Sequence, residues 1–421
     1  MLNVPGIQAS DPEARERARQ RVLSLNRRIR QVAPRVPVDL TRVAQSEVKV
    51  GFLDGHRIDR VIIILRSRGC EWALRSHGGC TMCGHYVGTT RGARVPGDLY
   101  LSQFLSEFES IDFRRYPMLC VYNSGSFLNP REVEPATRRA ILEAIARNAH
   151  IQHVIVESRP EFVTDEVLQE LSLILSHKEV EIGVGLETRN DDIREVCLNK
   201  GFAIRDFLAV ADRMARYQAK LLAYVLIKPP FLTEQEAIDD AIDSATFAFA
   251  NGTDVVSFEP VSVQDYTLVH YLHEGGAFRP PWIWSVFEVA KATAPLGFIR
   301  LGGFEYMPIP RIFTHNCPRC NAQAVAAVEA FNASQDLSSL EEVRCSCREA
   351  WQRELQQTAA PLYERINLIL DRLAGEGVLA RIAQKRDSAN LPAPASPRIC
   401  VPPGVNSQQG QEVARLASAR K

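Results

Sequence analysis

The chain has 421 residues, 46% hydrophobic and 24% charged, with 50 basic residues balanced by 50 acidic ones. That length supports one large α/β domain with extensions, or two domains. The neutral balance excludes an overall electrostatic pull toward nucleic acid, though not a local basic patch. No apolar stretch approaches the roughly 18 residues that cross a bilayer, and MLNVPGIQASDPEARER lacks the basic start and apolar centre of a secretory signal. A cytoplasmic protein with no membrane partner is the expectation, and in that reducing compartment ten cysteines serve as metal ligands or buried thiols rather than disulfides.

Residues 11–33 predict a helix carrying Arg15, Arg17, Arg19, Arg21, Arg27, Arg28 and Arg30 around a thin apolar stripe, ended by Pro34 and Pro37. Such a helix is either a solvated face packed on the main body or a phosphate-contacting surface. From residue 60 the pattern becomes regular. Apolar, β-branched runs at 60–66, 117–122, 152–157, 180–186, 219–227 and 254–259 alternate with amphipathic stretches near 100–110, 135–149, 164–176, 204–217 and 233–250. Near-continuous hydrophobic strands alternating with helices specify a parallel sheet buried on both faces. Six repeats fit a βα barrel or partial barrel, a fold whose chemistry gathers where strands end and loops begin. A helix near 282–294 follows, then the Gly/Pro-rich LGGFEYMPIPRIF, a helix over 323–341, and helical sequence at 352–384 interrupted near Pro361 and Gly375. The Pro, Ser, Ala and Gln content of the end predicts a disordered tail. The expected divisions are an N-terminal basic helical extension (1–50), a barrel core (51–300), a cysteine-rich helical module (301–385) and the tail (386–421).

Two cysteine groups carry the chemistry. Cys70, Cys80 and Cys83 lie in CEWALRSHGGCTMC, directly after the first apolar run. Three thiolates from one loop can hold three irons of a [4Fe–4S] cubane and leave the fourth iron to an exogenous ligand such as S-adenosylmethionine (SAM). The alternative is zinc, with His77 or His85 as fourth ligand. Gly78, Gly79 and Gly84 would let backbone amides approach the sulfurs. Cys317, Cys320, Cys345 and Cys347 form two close pairs, a pattern suited to structural zinc or to an auxiliary iron–sulfur cluster, with His315 near enough to replace one thiol. His270, His273, Trp282 and Trp284 follow the sixth strand, where aromatic rings either stack on a flat heterocycle or simply pack.

The segments GCEWALRSHGGCTMCGHY, VYNSGSFLNPREV, VIVESRPE, VGLETRNDDIRE, LIKPPFLTEQEAI and FNASQDLSSLEEVRCSCREAW resemble the RaSEA family of archaeosine-biosynthesis radical SAM proteins, in the branch related to the elongator catalytic subunit. The resemblance runs from about residue 40 to 355. It implies an α/β fold: a (β/α)6 partial TIM barrel as the radical SAM core, with a helical N-terminal extension and a C-terminal cysteine-rich metal-binding module. It also implies Cys70, Cys80 and Cys83 as [4Fe–4S] ligands, and SAM cleavage to a 5′-deoxyadenosyl radical. The implied substrate is tRNA bearing a lysine adduct of 7-cyano-7-deazaguanine, its C–N bond being cleaved. The implied partners are a low-potential electron donor and a lysine-adding tRNA transferase. Carried over residue by residue, Ser124, Gly125 and Ser126 would meet the SAM amino group. Glu157, Arg159, Glu187 and Arg189 would recognise the rest of SAM. Lys228 and Glu259 close the fifth and sixth strands as catalytic candidates on the substrate side. Met82 stands where many radical SAM proteins place an aromatic residue, a role Tyr86 could share. The runner-up is a radical SAM enzyme acting on another modified nucleic acid or a nucleoside-like metabolite. A non-catalytic zinc-binding nucleic-acid adaptor is the rival from another class.

Overall fold

The computed structural model describes residues 12–53, 55–75, 78–303 and 309–388, with side chains described as far as residue 383. Eight strands form one sheet in sequence order. β1 (Gln45–Leu53) pairs antiparallel with β2 (His56–Ile64). Parallel to β2 run β3 (Met118–Tyr122), β4 (His153–Ser158), β5 (Glu179–Glu187), β6 (Lys220–Ile227), β7 (Val255–Pro260) and β8 (Phe298–Leu301). The helices are α1 (Pro12–Val32), α2 (Glu71–Leu74), α3 (Gly97–Phe108), α4 (Pro135–Arg147), α5 (Asp165–Ile174), α6 (Ile204–Arg216) and α7 (Glu234–Ala250). They continue as α8 (Leu268–Glu274), α9 (Ile283–Thr293), α10 (Asn321–Ser334), α11 (Ser338–Glu341), α12 (Cys347–Leu355), α13 (Leu362–Gly375) and α14 (Val378–Ser388). Among the described residues no helix is long and apolar enough to cross a membrane.

Each strand sends alternate side chains to opposite faces. Val61, Ile63, Leu119, Val121, Val154, Val156, Ile182, Val184, Ala223, Val225 and Phe258 face outward and share one core with the surrounding helices. Ile62, Met118, Cys120, Ile155, Leu222 and Val255 face inward and form a separate apolar cluster. Burial on both faces is why these strands read as unbroken hydrophobic runs. The helices between them start on recognisable signals: Thr164 caps α5, Pro135 opens α4, and Thr233 with Glu236 forms a capping box on α7.

The sheet curls into an open half-barrel. Although β1 and β8 are not paired, Phe52 on the one and Phe298 on the other meet edge-on, with ring centroids 5.1 Å apart. At the strands' N-terminal end, buried Glu181 accepts from Arg300 (2.7 Å) and lies 3.3 Å from His153 Nε2. His153 Nδ1 in turn lies 2.9 Å from Glu179. Charges this deep require partners of opposite sign, and here they have them.

Two of the eight strands lie beyond the six predicted runs. β1 (QSEVKVGFL) has too few apolar residues for a buried strand, and β8 (FIRL) is only four residues long. The single helix predicted over 323–341 is two, α10 and α11, parted at Gln335, whose φ of 59° takes the backbone into the left-handed region. The predicted break near Pro361 and Gly375 matches the junctions flanking α13. Most of the predicted disordered tail lies outside the described residues.

The exposed edge of β8 is closed by a side chain. Asn332 on α10 accepts from Leu301 N–H (2.9 Å) and donates to Leu301 C=O (2.8 Å), imitating a neighbouring strand. Asn332→Ala leaves both groups unpaired, so chemical denaturation should show a loss of about 1–3 kcal/mol.

Candidate active site at the barrel mouth

The loop leaving β2 carries the first cysteine group across the strands' C-terminal ends. Cys70 stands at the N-cap position of α2, without a side-chain capping bond. Burial, with Glu132 and Cys80 nearby, pushes the Cys70 thiol up to about 12. Burial and Cys80 also raise the Cys83 thiol, which accepts from the His85 N–H. All three thiols are half-buried. Gly78 and Gly79 turn the loop at φ values of 76° and 72°. A Cβ on Gly79 would fall 2.6 Å from Ala73 Cα, so glycine is needed both for conformation and for close approach. Distant segments grip the loop's backbone. Asn199 donates to Gly79 C=O (2.8 Å), while Thr81 donates to Leu198 C=O (3.0 Å) through its N–H and to Cys197 C=O (2.7 Å) through its hydroxyl.

The turn after β3 lies against this loop. Ser124 has φ 57°, and Ser126 donates its N–H to Glu132 Oε2 (2.6 Å). Glu132 Oε1 accepts from the Glu71 N–H (2.8 Å), so one buried carboxylate ties the Ser124-Gly125-Ser126 turn to the cysteine loop. A Cβ on Gly125 would strike Glu132 and lie 3.1 Å from Cys70 Cα. Ser126 Oγ accepts from the Arg159 N–H (3.1 Å).

At the ends of β4 to β7 several ionisable groups converge. Glu157 accepts from Tyr224 Oη (2.9 Å). Burial pushes its carboxyl up to about 7, and the Tyr224 bond opposes that, while Glu259 adds to it. Arg159 pairs with Glu161 (2.7 Å), donates to Lys200 C=O (2.9 Å), and stands over the Trp72 ring at 4.9 Å. Glu187, at φ 65°, pairs with Lys200 at 2.5 Å. Burial works against the Lys200 ammonium, but Glu187 and Cys80 outweigh it and raise its pKa. Glu259 accepts from Ser257 Oγ (3.0 Å) and sits beside Gly302, where a Cβ would come within 2.4 Å of its carboxylate. Non-glycine residues with positive φ are costly and gather at functional sites. Ser124, Glu187 and Lys228 all stand at strand ends in that state.

The structure thus gathers Cys70, Cys80, Cys83, Ser124, Gly125, Ser126, Glu157, Arg159, Glu187 and Glu259 at one mouth. Two sequence candidates turn away from it. Arg189 reaches Asp243 on α7 (3.0 Å) and the Phe247 ring. Lys228 pairs with Glu234 (2.6 Å) and faces Glu354 on α12 (3.6 Å). Trp282 donates to Glu354 (2.7 Å) and buried Trp284 to Cys347 Sγ (3.3 Å), so both tryptophans join the C-terminal module to the barrel. His270 is buried and accepts from the Tyr266 N–H (3.2 Å), and His273 bonds Phe278 C=O (2.9 Å). Tyr86 is buried between the guanidinium groups of Arg30 (4.0 Å) and Arg91 (5.0 Å), and Met82 packs into the same neighbourhood. His77 lies outside the described residues. Sequence reasoning missed Glu132, Lys200 and the loop-gripping Arg30. Lys200 follows a short π-helical turn, Ile193–Cys197, a distortion that often marks functional sites but is visible only in the structure.

The second cysteine group is compact. Sγ–Sγ distances are 3.8 Å for Cys317–Cys320, 3.5 Å for Cys317–Cys345 and 3.6 Å for Cys320–Cys347. All four sulfurs lie within 4.8 Å of one another and could hold a metal ion. Thiolates about 2.3 Å from one tetrahedral ion stand roughly 3.8 Å apart, which this set matches. A cubane spreads its four thiolates over four separate irons and would hold them further apart. His315 Nδ1 bonds Phe313 C=O (2.8 Å), and His315 is not among the four clustered ligands.

A half-barrel of parallel strands with three cysteines in the loop after the first of them is the architecture expected from the resemblance to radical SAM proteins. No family model matches the chain. Curated relatives do. The chain is 33% identical over 348 residues to archaeosine synthase subunit beta of Methanosarcina acetivorans, covering 79% of this chain and 96% of that one. It is 33% identical over 301 residues to the subunit of the same name from Thermococcus kodakarensis, covering 69% and 90%. The chain belongs to the archaeosine synthase subunit beta family. Among solved structures, methylornithine synthase PylB aligns with a TM-score of 0.44 and 13% identity, over 88% of this chain and 90% of that one. Elp3 of Methanocaldococcus infernus gives a TM-score of 0.37 and 15% identity, over 49% and 52%. Likeness at that level carries no argument.

Two predictions follow from the site's chemistry. The folded chain holds the Glu157 proton more tightly than the unfolded chain does, so this group's contribution to stability declines as pH rises from about 4.5 to about 7. Thermal melts of Glu157→Gln should therefore fall less steeply across that window than those of the wild type. At the second group, Cys320→Ser should remove one bound metal ion per chain by elemental analysis and lower the melting temperature.

Proposed function

We propose that this chain is the radical SAM subunit in archaeosine formation, acting on tRNA that bears a lysine adduct of 7-cyano-7-deazaguanine and breaking a C–N bond of that adduct. The observation that carries this reading is the convergence of three thiols from one loop with a ring of cations and carboxylates at the C-terminal mouth of the half-barrel. The donor set suits a [4Fe–4S] cluster: the Cys83 sulfur accepts from the His85 N–H, and Arg159 and Lys200 bring positive charge near Cys80. When bound, the reduced cluster and SAM would supply a 5′-deoxyadenosyl radical that takes hydrogen from the substrate.

The chain's own residues bind, orient and shield. SAM presents a carboxylate, an ammonium and a ribose diol. Lys200 and Arg159 are the cations that can anchor the carboxylate, and Glu157 and Glu187 can accept from the ammonium and the hydroxyls. Gly125, Gly183 and Gly185 let the side chains of Glu132, Tyr224, Glu187 and Lys200 lie directly against the backbone, where a Cβ would collide with them. Glu157, with its carboxyl held near 7, can exchange a proton close to neutrality. Glu259 is our candidate catalytic carboxylate on the substrate side. Lys228 joins the barrel to the C-terminal module, where Cys317, Cys320, Cys345 and Cys347 would hold structural zinc. Arg27 and Arg28 are exposed on α1, the helix that packs on the cysteine loop, so they are placed to meet tRNA phosphates beside the mouth.

The test is anaerobic turnover of the reconstituted chain with SAM, a low-potential reductant and tRNA carrying the lysine adduct. Formation of 5′-deoxyadenosine together with loss of the adduct is the expected result, and Cys80→Ala should reduce both to background. Cleavage of SAM that leaves the adduct intact would reject this substrate, and a chain that holds zinc at both cysteine groups would reject the radical reaction.

A further inference from the structure

We propose that Arg30, on a helix outside the barrel, positions the iron–sulfur site and sets the charge beside it; this rests on the reading that Cys70, Cys80 and Cys83 hold a cluster. One nitrogen of its guanidinium, Nη2, donates to the backbone carbonyls of two of these cysteines, Cys80 at 2.7 Å and Cys83 at 2.6 Å. The plane of the group rests on the Tyr86 ring, 4.0 Å from its centroid, and Tyr86 lies three residues beyond Cys83. One turn earlier on the same face, Asn26 donates to Gly79 C=O (3.0 Å). The loop is pressed onto this face so closely that a Cβ on Gly78 would come within 2.9 Å of Arg30 Cγ.

The helix that carries Arg30 is itself held firmly. Ala18, Val22 and Ile29 are buried. Arg15 pairs with Asp192 (2.8 Å), Arg19 with Glu195 (2.8 Å) and Arg21 with Asp371 (2.6 Å). The basic helix therefore spends four of its arginines on contacts within the chain, three of them at the surface, and Arg30 links the helix to two ligand-bearing peptides.

Two consequences follow. A guanidinium bridging both carbonyls fixes the spacing of Cys80 and Cys83 before any cluster arrives. Its positive charge, beside the cysteines, favours the more negatively charged reduced cluster and so raises the reduction potential. Arg30→Lys keeps the charge but loses the planar group that bonds two carbonyls and stacks on a ring. Arg30→Gln loses both.

The experiment compares the full chain with Arg30→Gln, Arg30→Lys and, as a control on the same helix, Arg17→Gln. Amide hydrogen exchange of residues 78–86 is measured before any iron is added. Iron per chain and midpoint potential are then measured after anaerobic reconstitution. We expect loop exchange about tenfold faster or more in Arg30→Gln, as for loss of a charged hydrogen bond, with less iron retained and a more negative potential. Arg30→Lys should restore the potential while its loop still exchanges faster than wild type, and Arg17→Gln should match wild type throughout. Unchanged exchange, iron content and potential in Arg30→Gln would overturn the proposal. If Arg30→Gln does not fold, wild-type exchange rates in Arg30→Lys would overturn the positioning role on their own. A wild-type chain that takes up no iron sinks the cluster reading instead, and the iron-free exchange measurement then decides the positioning role separately.

Discussion

Every strand of the half-barrel has to satisfy two faces at once, and the rest of the molecule depends on that constraint. Outward residues such as Ile63, Val121, Val156 and Val225 meet helices. Inward residues meet each other across a narrow interior, narrow enough for Phe52 and Phe298 to touch across the unpaired edges. An interior so confined tolerates charge only in pairs. At the N-terminal end Glu181, Arg300, His153 and Glu179 form a chain of opposite charges. At the C-terminal end Glu157, Glu187 and Glu259 gather with Arg159 and Lys200, and burial, with Glu259 adding to it, raises the carboxyl pKa of Glu157.

The cysteine loop belongs to this mouth because distant segments hold it there. Its carbonyls accept from α1 through Asn26 and Arg30, and from Asn199; its Thr81 donates to carbonyls at 197–198. Glu132 adds a link from the turn after β3. The C-terminal module is joined to the barrel by a comparable set of polar contacts: Lys228 faces Glu354, Trp282 donates to Glu354, and Trp284 donates to Cys347. A metal at the four cysteines would thus brace the first turn of α12 and, through it, the end of β6.

Much of this was legible in the sequence wherever a residue's role is local. Six parallel strands announced themselves because burial on both faces makes a strand continuously apolar. The two cysteine groups were legible by spacing, and Glu157 and Glu187 by their position at strand ends. The edge strands were hidden for opposite reasons, β1 being too polar and β8 too short. Arg189 and Lys228 occupy strand-end positions equal in sequence to those of Glu187 and Glu259. Which way a side chain turns there depends on Asp243, Glu234 and Glu354, far along the chain. Glu132, Lys200 and Arg30 stayed hidden for the same reason, since the partners that tie them to the mouth, Glu71, Glu187 and Cys80, lie 61, 13 and 50 residues away. The basic helix was read as a surface, yet four of its arginines serve internal contacts.

The account rests on one open iron in a cluster held by Cys70, Cys80 and Cys83. The most direct measurement is electron paramagnetic resonance of the reduced, anaerobically reconstituted chain before and after SAM is added, with iron, sulfide and zinc counted on the same sample. The account predicts a reduced [4Fe–4S] signal that changes on SAM addition and is absent in Cys80→Ala, with a separate metal ion at the C-terminal cysteines. A chain that holds zinc and no iron after reconstitution, or a cluster signal indifferent to SAM, would contradict it.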